Sequence, residues 1–198
     1  MPRIVDIDQR RHELAAAAAQ VIARAGVDGA TMRDIAAEAG WTTGTLAHYF
    51  ANKHELLDFT LRASLERRSA QRSARAAMAP ADAIGATLRS ALPTDEATRV
   101  HWVVTVALAA AAAGDDQLAA TQRDAYRDFR SYLVGLLIAA GCPDDRAAVT
   151  EAERLIALVD GISLQALFDP THWSAERQRS ALDDGLRTAC WAGGAAAP

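Results

Sequence analysis

The chain has 198 residues, a formal net charge of −4 and a composition that is 51% hydrophobic and 23% charged, which excludes a disordered or polybasic chain and leaves one large domain, or a small domain joined to a medium one. Ala is abundant, Gly and Pro number only 12 and 6, and residues of high helix propensity fill nearly every stretch, so the predicted fold class is all-α. The two cysteines, Cys142 and Cys190, are far apart and outside any C-x-x-C spacing; this gives neither a disulfide framework nor a zinc signature and fits a reducing cytosol.

About nine helices are predicted. The first runs from about Ile7 to Ala25, with Leu14, Ala18, Val21, Ile22 and Ala25 on one stripe, and stops at Gly26. A short second helix follows Thr31 as N-cap, turns Ile35, Ala36 and Ala39 inward and ends at Gly40. The third begins after Thr42 and carries Leu46, Tyr49 and Phe50, and the fourth runs from near Lys53 to about Met78. The remaining five are expected at Asp82 to Leu92, Asp95 to Ala113, Asp116 to Ala140, Arg146 to Phe168 and Ala175 to Cys190, with breaks at Gly114, Gly141–Pro143 and Asp169–Pro170. The apolar runs Leu14–Ala25 and Trp102–Ala113 are too short to cross a bilayer and read as buried helices, so no membrane partner is expected. The end of the chain, 193–198, reads as a disordered tail.

Residues 31–50, TMRDIAAEAGWTTGTLAHYF, spell two short helices joined by a tight turn at Gly40, each preceded by a capping Thr. This is the grammar of a helix-turn-helix. A second helix that starts with Thr42, Thr43, Gly44 and Thr45 offers free backbone N–H groups, a positive dipole end and small hydrogen-bonding side chains to a major groove. Against an enzyme, the chain has no H-E-x-x-H, P-loop or G-x-S-x-G, and its five histidines, His12, His48, His54, His101 and His172, are dispersed. No catalytic residue, metal site or cofactor is expected.

The stretch from about Arg11 to Leu57 resembles the N-terminal DNA-binding domain of the TetR family of transcriptional regulators. The matching elements are HELAAAAAQVIARAG, the T-x-x-D-I-A-x-x-A-G core, the T-G-T-L entry to the third helix, and Y-F-A-N-K-H-E-L-L. The resemblance implies a three-helix DNA-binding domain over 1–54 and a helical effector-binding and dimerisation domain over 55–192. It assigns DNA contacts to Thr31, Arg33, Thr42, Thr43, Gly44, Thr45, His48, Tyr49 and Lys53. Ala47 departs from the family pattern, which usually has Tyr there, so a phosphate contact is expected either to be missing or to be taken over by His48. Residues 1–60 carry a net −2, so position must count for more than sum: Arg3, Arg10, Arg11, Arg33 and Lys53 are expected on one face, with a shallow salt dependence. The run Arg62, Arg67, Arg68, Arg72 and Arg75 ends roughly 33 Å along the fourth helix from Lys53, beyond any phosphate that Lys53 touches, and is expected to form a solvated face paired with acids of the second part.

The C-terminal stretch LIALVDGISLQALFDPTHWSAERQRSALDDGL resembles the BetI-like subgroup of the family. Leu155, Leu158, Val159, Ile162, Ala166 and Leu167 make an apolar band too wide for one neighbour, and Gly161 permits close helix approach. With Leu182 and Leu186 these residues are assigned to a four-helix interface between two copies. Trp173 and Trp41 read as interface packing and turn packing. The effector candidates are the large and polar side chains that stand out among alanines: Phe59, His101, Trp102, Thr105, Tyr126, Phe129, Asp160 and Ser163. The resulting expectation is a cytoplasmic homodimer that represses by binding a near-palindromic double-stranded operator and is released by an unidentified small molecule. The alternatives are an activator or ligand-independent regulator of the same fold, or a helical interaction module that does not bind DNA.

Overall fold

The computed structural model describes residues 7–190, apart from the side chain of Arg68. The expected tail at 193–198, and Arg3, lie outside the described residues. Among those residues there are nine α-helices and no strand: α1 (Ile7–Gly29), α2 (Met32–Glu38), α3 (Thr43–Ala47), α4 (Lys53–Ser73), α5 (Pro80–Arg89), α6 (Glu96–Ala112), α7 (Asp116–Ala139), α8 (Asp145–Phe168) and α9 (Ala175–Arg187). Gly26, at φ +71°, interrupts α1 where the helix was expected to stop. Ala25, expected on the buried stripe, is exposed. The fourth helix ends at Ser73, short of Met78, and α5 starts at Pro80, whose missing N–H costs nothing in a first helical turn.

The chain divides into two compact units: residues up to Arg68 together with Val103–Arg123, and Ser69–Trp102 together with the chain from Asp124 onward. These packing units differ from the predicted division at 54/55, because α4, α6 and α7 each run through a boundary.

In the first unit α1 packs on α2 and α2 on α3. Leu14, Ala18, Val21 and Ile22 of α1 are buried, as are Ile35, Leu46, Phe50 and Leu56. The Arg11 guanidinium lies 4.7 Å from the Phe50 ring centre and 4.5 Å from that of Phe59, and pairs with Glu55 at 2.9 Å. Arg11 is therefore spent on packing. Further along α4, Arg62 pairs with Asp58 at 2.9 Å, and Thr121 donates to the same carboxylate at 3.0 Å. Burial pushes the Asp58 carboxyl up, but the hydrogen bonds from Arg62 and Thr121, with the Arg62 charge, outweigh it and hold the group below its ordinary value.

In the second unit α9 packs on α5 and α8. Leu88, Leu92, Leu133, Leu137, Leu155 and Leu182 are fully buried, and the Trp102 indole donates to the Ala91 carbonyl at 2.5 Å. Arg89 pairs with Asp183 at 2.6 Å, and Arg154 pairs with Glu151 while also donating to the Gly185 carbonyl at 2.9 Å. A side chain at Gly185 would strike Leu158, so the glycine that lets α8 and α9 approach closely is Gly185, whereas Gly161 faces open space. The sulfurs of Cys142 and Cys190 are joined, with Cα atoms 5.4 Å apart and a sequence separation of 48. This corrects the expectation of no disulfide: spacing along the chain says nothing of two segments that meet only after α8 and α9 fold back.

Arg72 also departs from its expected role. Its guanidinium stacks 5.4 Å from the Phe129 ring centre and 5.5 Å from that of Tyr132, and burial lowers its pKa from the ordinary value. Of the arginine run, Arg62 pairs with an acid and Arg75 donates to the Gln71 carbonyl, so the run is not one paired, solvated face.

Candidate nucleic-acid interface

The turn between α2 and α3 is set by backbone chemistry. Gly40, at φ +72°, lets its own N–H reach the Ala37 carbonyl at 3.0 Å while the Trp41 N–H reaches that of Ala36 at 2.8 Å, closing α2 with the paired bonds of a left-handed C-terminal cap. Thr42 then caps α3: its hydroxyl accepts from the Thr45 N–H at 3.1 Å and shares a hydrogen bond with the Thr45 hydroxyl at 2.9 Å. Thr31 caps α2 in the same way, accepting from the Asp34 N–H at 3.1 Å.

The first turn of α3 is open. Thr42, Thr43, Gly44 and Thr45 are all exposed, and only Leu46 of this helix is buried. Arg33 is exposed. His48 is exposed and Tyr49 half-buried, their rings 5.6 Å apart edge to face. Tyr49 also packs on Trp41 at 5.5 Å, and the Arg10 guanidinium lies 5.2 Å from the Trp41 ring centre. Trp41 thus serves the turn, as expected, and positions both Tyr49 and Arg10. Lys53 starts α4 and donates one of its three protons to the Asp28 carbonyl at 3.3 Å.

Four acids of this unit are engaged inside it. Glu13 pairs with Arg10 at 2.8 Å, and Glu38 with Arg24 at 2.6 Å. Asp34 accepts from the Thr31 hydroxyl at 2.5 Å, and Glu55 accepts the Ala51 N–H at 2.9 Å. The expected cluster of five cations is reduced by Arg11, which is turned onto Phe50 and Phe59.

The effector candidates fall into both units. Phe59, in the first, packs against Phe50 at 5.4 Å and His12 at 5.2 Å; Thr105, half-buried, belongs to the same unit. In the second, Trp102 is buried, His101 is half-buried and Phe129 lies under Arg72. The Tyr126 hydroxyl donates to Asp160 at 2.9 Å, which joins two of the candidates directly. Ser163 is 0% exposed, and its hydroxyl has no hydrogen-bond partner in the described structure.

Of the residues assigned to an interface between copies, Leu155, Val159, Ile162, Ala166 and Leu182 are buried against their own chain. Leu158, Leu167 and Leu186 keep partial exposure. The opposite side of α8 presents Ala157, Gly161, Leu164 and Phe168, at the i, i+4, i+7, i+11 spacing of one helical stripe, and Phe168 is 78% exposed. The assigned residues therefore lie mostly on the inner side of α8, and its outer side carries a second apolar stripe.

Residues 14–58 match the pattern of bacterial regulatory proteins of the tetR family, and residues 80–190 match that of the BetI-type transcriptional repressor C-terminal domain. The chain belongs to the TetR family of bacterial transcriptional regulators. It is 31% identical over 193 residues to the HTH-type transcriptional regulator PksA of Bacillus subtilis, covering 96% of this chain and 94% of that protein. It is 32% identical over 190 residues to the regulator BetI of Vibrio campbellii, covering 94% of each. A crystal structure of a transcriptional regulator from Rhodococcus sp. Rha1 superposes with a TM-score of 0.84 at 34% identity over 95% of this chain and 99% of that one. A transcriptional regulator from Saccharomonospora viridis, solved in complex with choline, shares the fold with a TM-score of 0.82 at 23% identity over 91% and 97% of the two chains. As a TetR-family regulator the protein acts by binding DNA as a dimer, and is not an enzyme. No described helix is long and apolar enough to cross a membrane.

Proposed function

We propose that this TetR-family protein is a cytoplasmic repressor in which residues 1–54 read a near-palindromic operator and residues 55–192 bind an effector and hold two copies together. The observation that carries the reading head is the open first turn of α3, with Thr43 and Gly44 exposed beside the capped hydroxyls of Thr42 and Thr45. Unsatisfied N–H groups at that end, in phase with the helix dipole, suit phosphates and base edges. Arg33, Tyr49, His48 and Lys53 grip the backbone, and Thr31 points its capped end toward it. His48 compensates for Ala47.

Two copies pack through the outward stripe of α8, Ala157, Gly161, Leu164 and Phe168, with Leu158, Leu167 and Leu186 at its margin. A twofold axis through that stripe sets the spacing of two heads on successive major grooves. The effector is a small organic cation, a class supported by the Asp160 carboxylate hydrogen-bonded to the Tyr126 ring hydroxyl and by the choline held by the Saccharomonospora neighbour. A ligand that favours one head spacing shifts the population and releases the operator.

The test is fluorescence anisotropy of the purified protein against tiled fragments of its own upstream DNA. Saturable binding of one dimer to one fragment, weakened by Tyr49→Ala and Lys53→Ala and reversed by a quaternary ammonium ligand in the wild type but not in Asp160→Asn, supports every part of the reading. Equal affinity for all fragments and for random DNA would count against the operator. Binding that no organic cation alters would count against the effector class.

A further inference from the structure

We propose that Cys142 and Cys190 form a reversible redox site for low-molecular-weight disulfides, and that its closure locks α8 and α9 together. The inference starts from how each cysteine is held. Gly141, at φ +105°, ends α7, and its N–H and that of Cys142 bond the Ile138 and Leu137 carbonyls, both at 3.0 Å. Cys142 is therefore fixed by a helix cap, with Pro143 after it and the α8 N-cap Asp144 next. At the other end, the Gly185 carbonyl accepts both Arg154 and the Thr188 hydroxyl, and Ala189 is buried, so the backbone leading to Cys190 is seated by contacts of its own. Two thiols placed by separate anchors stay opposite one another when the bond is open.

The closed loop, residues 143–189, encloses the whole of α8 and α9. Cys142 and Cys190 are the chain's only cysteines. A permanent staple is out of keeping with a DNA-binding protein that works in a reducing compartment, where paired cysteines are typically redox-responsive. That step, and the consequence that a locked α8–α9 pair holds the dimer in its operator-binding form, rest on the function proposed above; the thiol chemistry does not.

The reaction balances as two exchanges. Cys142 is 8% exposed and Cys190 half-buried, so the Cys190 thiolate attacks one sulfur of the small disulfide and expels its first thiol. The Cys142 thiolate then attacks the Cys190 sulfur and expels the second. The protein loses two electrons and two protons, and the small disulfide leaves as two thiols.

The full-length protein would be equilibrated without oxygen in mixtures of reduced and oxidised glutathione, quenched with acid and labelled with a maleimide mass tag. The expected result is one reversible transition between two tags and none per chain, with no cross-link between chains. Melting should rise by roughly 10 °C on closure of a loop this long, and Cys190→Ser should remove that shift while keeping the helical circular dichroism of the reduced wild type. Three results would overturn the site: glutathione left on Cys190 with no internal bond, cross-linked chains, or a bond that reduced glutathione alone never opens. Fragment binding in both states separates the two readings. Tighter binding when closed supports the regulatory consequence, and equal binding overturns it. No DNA binding in either state counts against the regulator reading, while the tag count still decides the redox site.

Discussion

Replacing Gly44 with Ala separates what the protein needs from what DNA needs. Gly44 is the second residue of α3 and has no positive φ; a Cβ there would meet only the Thr42 hydroxyl, at an ordinary 3.8 Å. Inside the molecule Gly44→Ala therefore removes glycine's helix penalty and stabilises the fold by about 0.5–1 kcal/mol, which raises Tm by roughly 1–4 °C. On DNA the same methyl stands on the exposed turn whose N–H groups are to approach phosphate. Losing one hydrogen bond to a charged group costs about 1.5–3 kcal/mol, or roughly 10- to 150-fold in affinity per head. The assay pairs thermal melting with anisotropy on the preferred fragment, and Gly40→Ala is the control. Gly40 sits at φ +72°, so that variant should lose about 1–2 kcal/mol of stability through left-handed strain. If Gly44→Ala melts higher and binds the fragment as tightly as wild type, the first turn of α3 does not touch DNA and the reading head is misassigned.

Phe168→Asp should leave the monomer's melting almost unchanged, because the ring is 78% exposed. It should weaken dimerisation by about 1.5–3 kcal/mol per ring, measured by sedimentation equilibrium; an unaltered dimer would place the interface elsewhere. Gly185→Ala should destabilise by about 1–3 kcal/mol in denaturant unfolding, since the methyl is driven into Leu158 across the α8–α9 contact. The Asp58 carboxyl is held below its unfolded value, so its stabilisation is present above the unfolded pKa and disappears as pH falls through the folded one. Melting from about pH 6 to about pH 3 should fall more steeply for wild type than for Asp58→Asn; parallel curves would remove Asp58 from the acid limb. Operator affinity should lose about 0.9 log unit per log unit of salt for each phosphate neutralised. A slope that needs more than roughly ten contacts per dimer would contradict the small set of cations available.

The nine helices were legible because their punctuation is local: Gly26, Gly40 and Gly141 each carry the positive φ that ends a helix, and Thr31, Thr42 and Asp144 each cap the next one. The reading head was legible for the same reason, being twenty contiguous residues. What the sequence hid was every choice made between distant segments. Arg11 reads as a surface cation, yet two phenylalanines and Glu55 claim it. Leu155 and Val159 read as interface, yet α8 has two apolar sides and theirs faces inward. Asp160 reads as a ligand carboxylate, and periodicity could not show that a tyrosine 34 residues earlier already bonds it. Cys142 and Cys190 read as unrelated for the same reason.

The charge of the first 60 residues, −2 by sum, looks wrong for a surface that meets a polyanion. Local pairing leaves that sum unchanged but decides where the charge is felt. Asp34 is tied to the Thr31 cap, Glu38 to Arg24, Glu55 to Arg11 and the Ala51 N–H, and Glu13 to Arg10. The three carboxylates paired with arginine are neutralised at hydrogen-bond distance and project little field beyond a Debye length of about 8 Å, whereas Asp34, bonded to a neutral hydroxyl, keeps its charge. Arg33 and the two unused protons of Lys53 remain to be counted from outside, with the N-terminal dipole of α3. A head with so few free cations per copy is weak alone. In the proposed dimer two heads share one tether, which makes the second engagement intramolecular and raises affinity without new contacts. On the proposed α8 interface, the packing of α8 and α9 is the point at which a small molecule or a sulfur–sulfur bond would act on that tether.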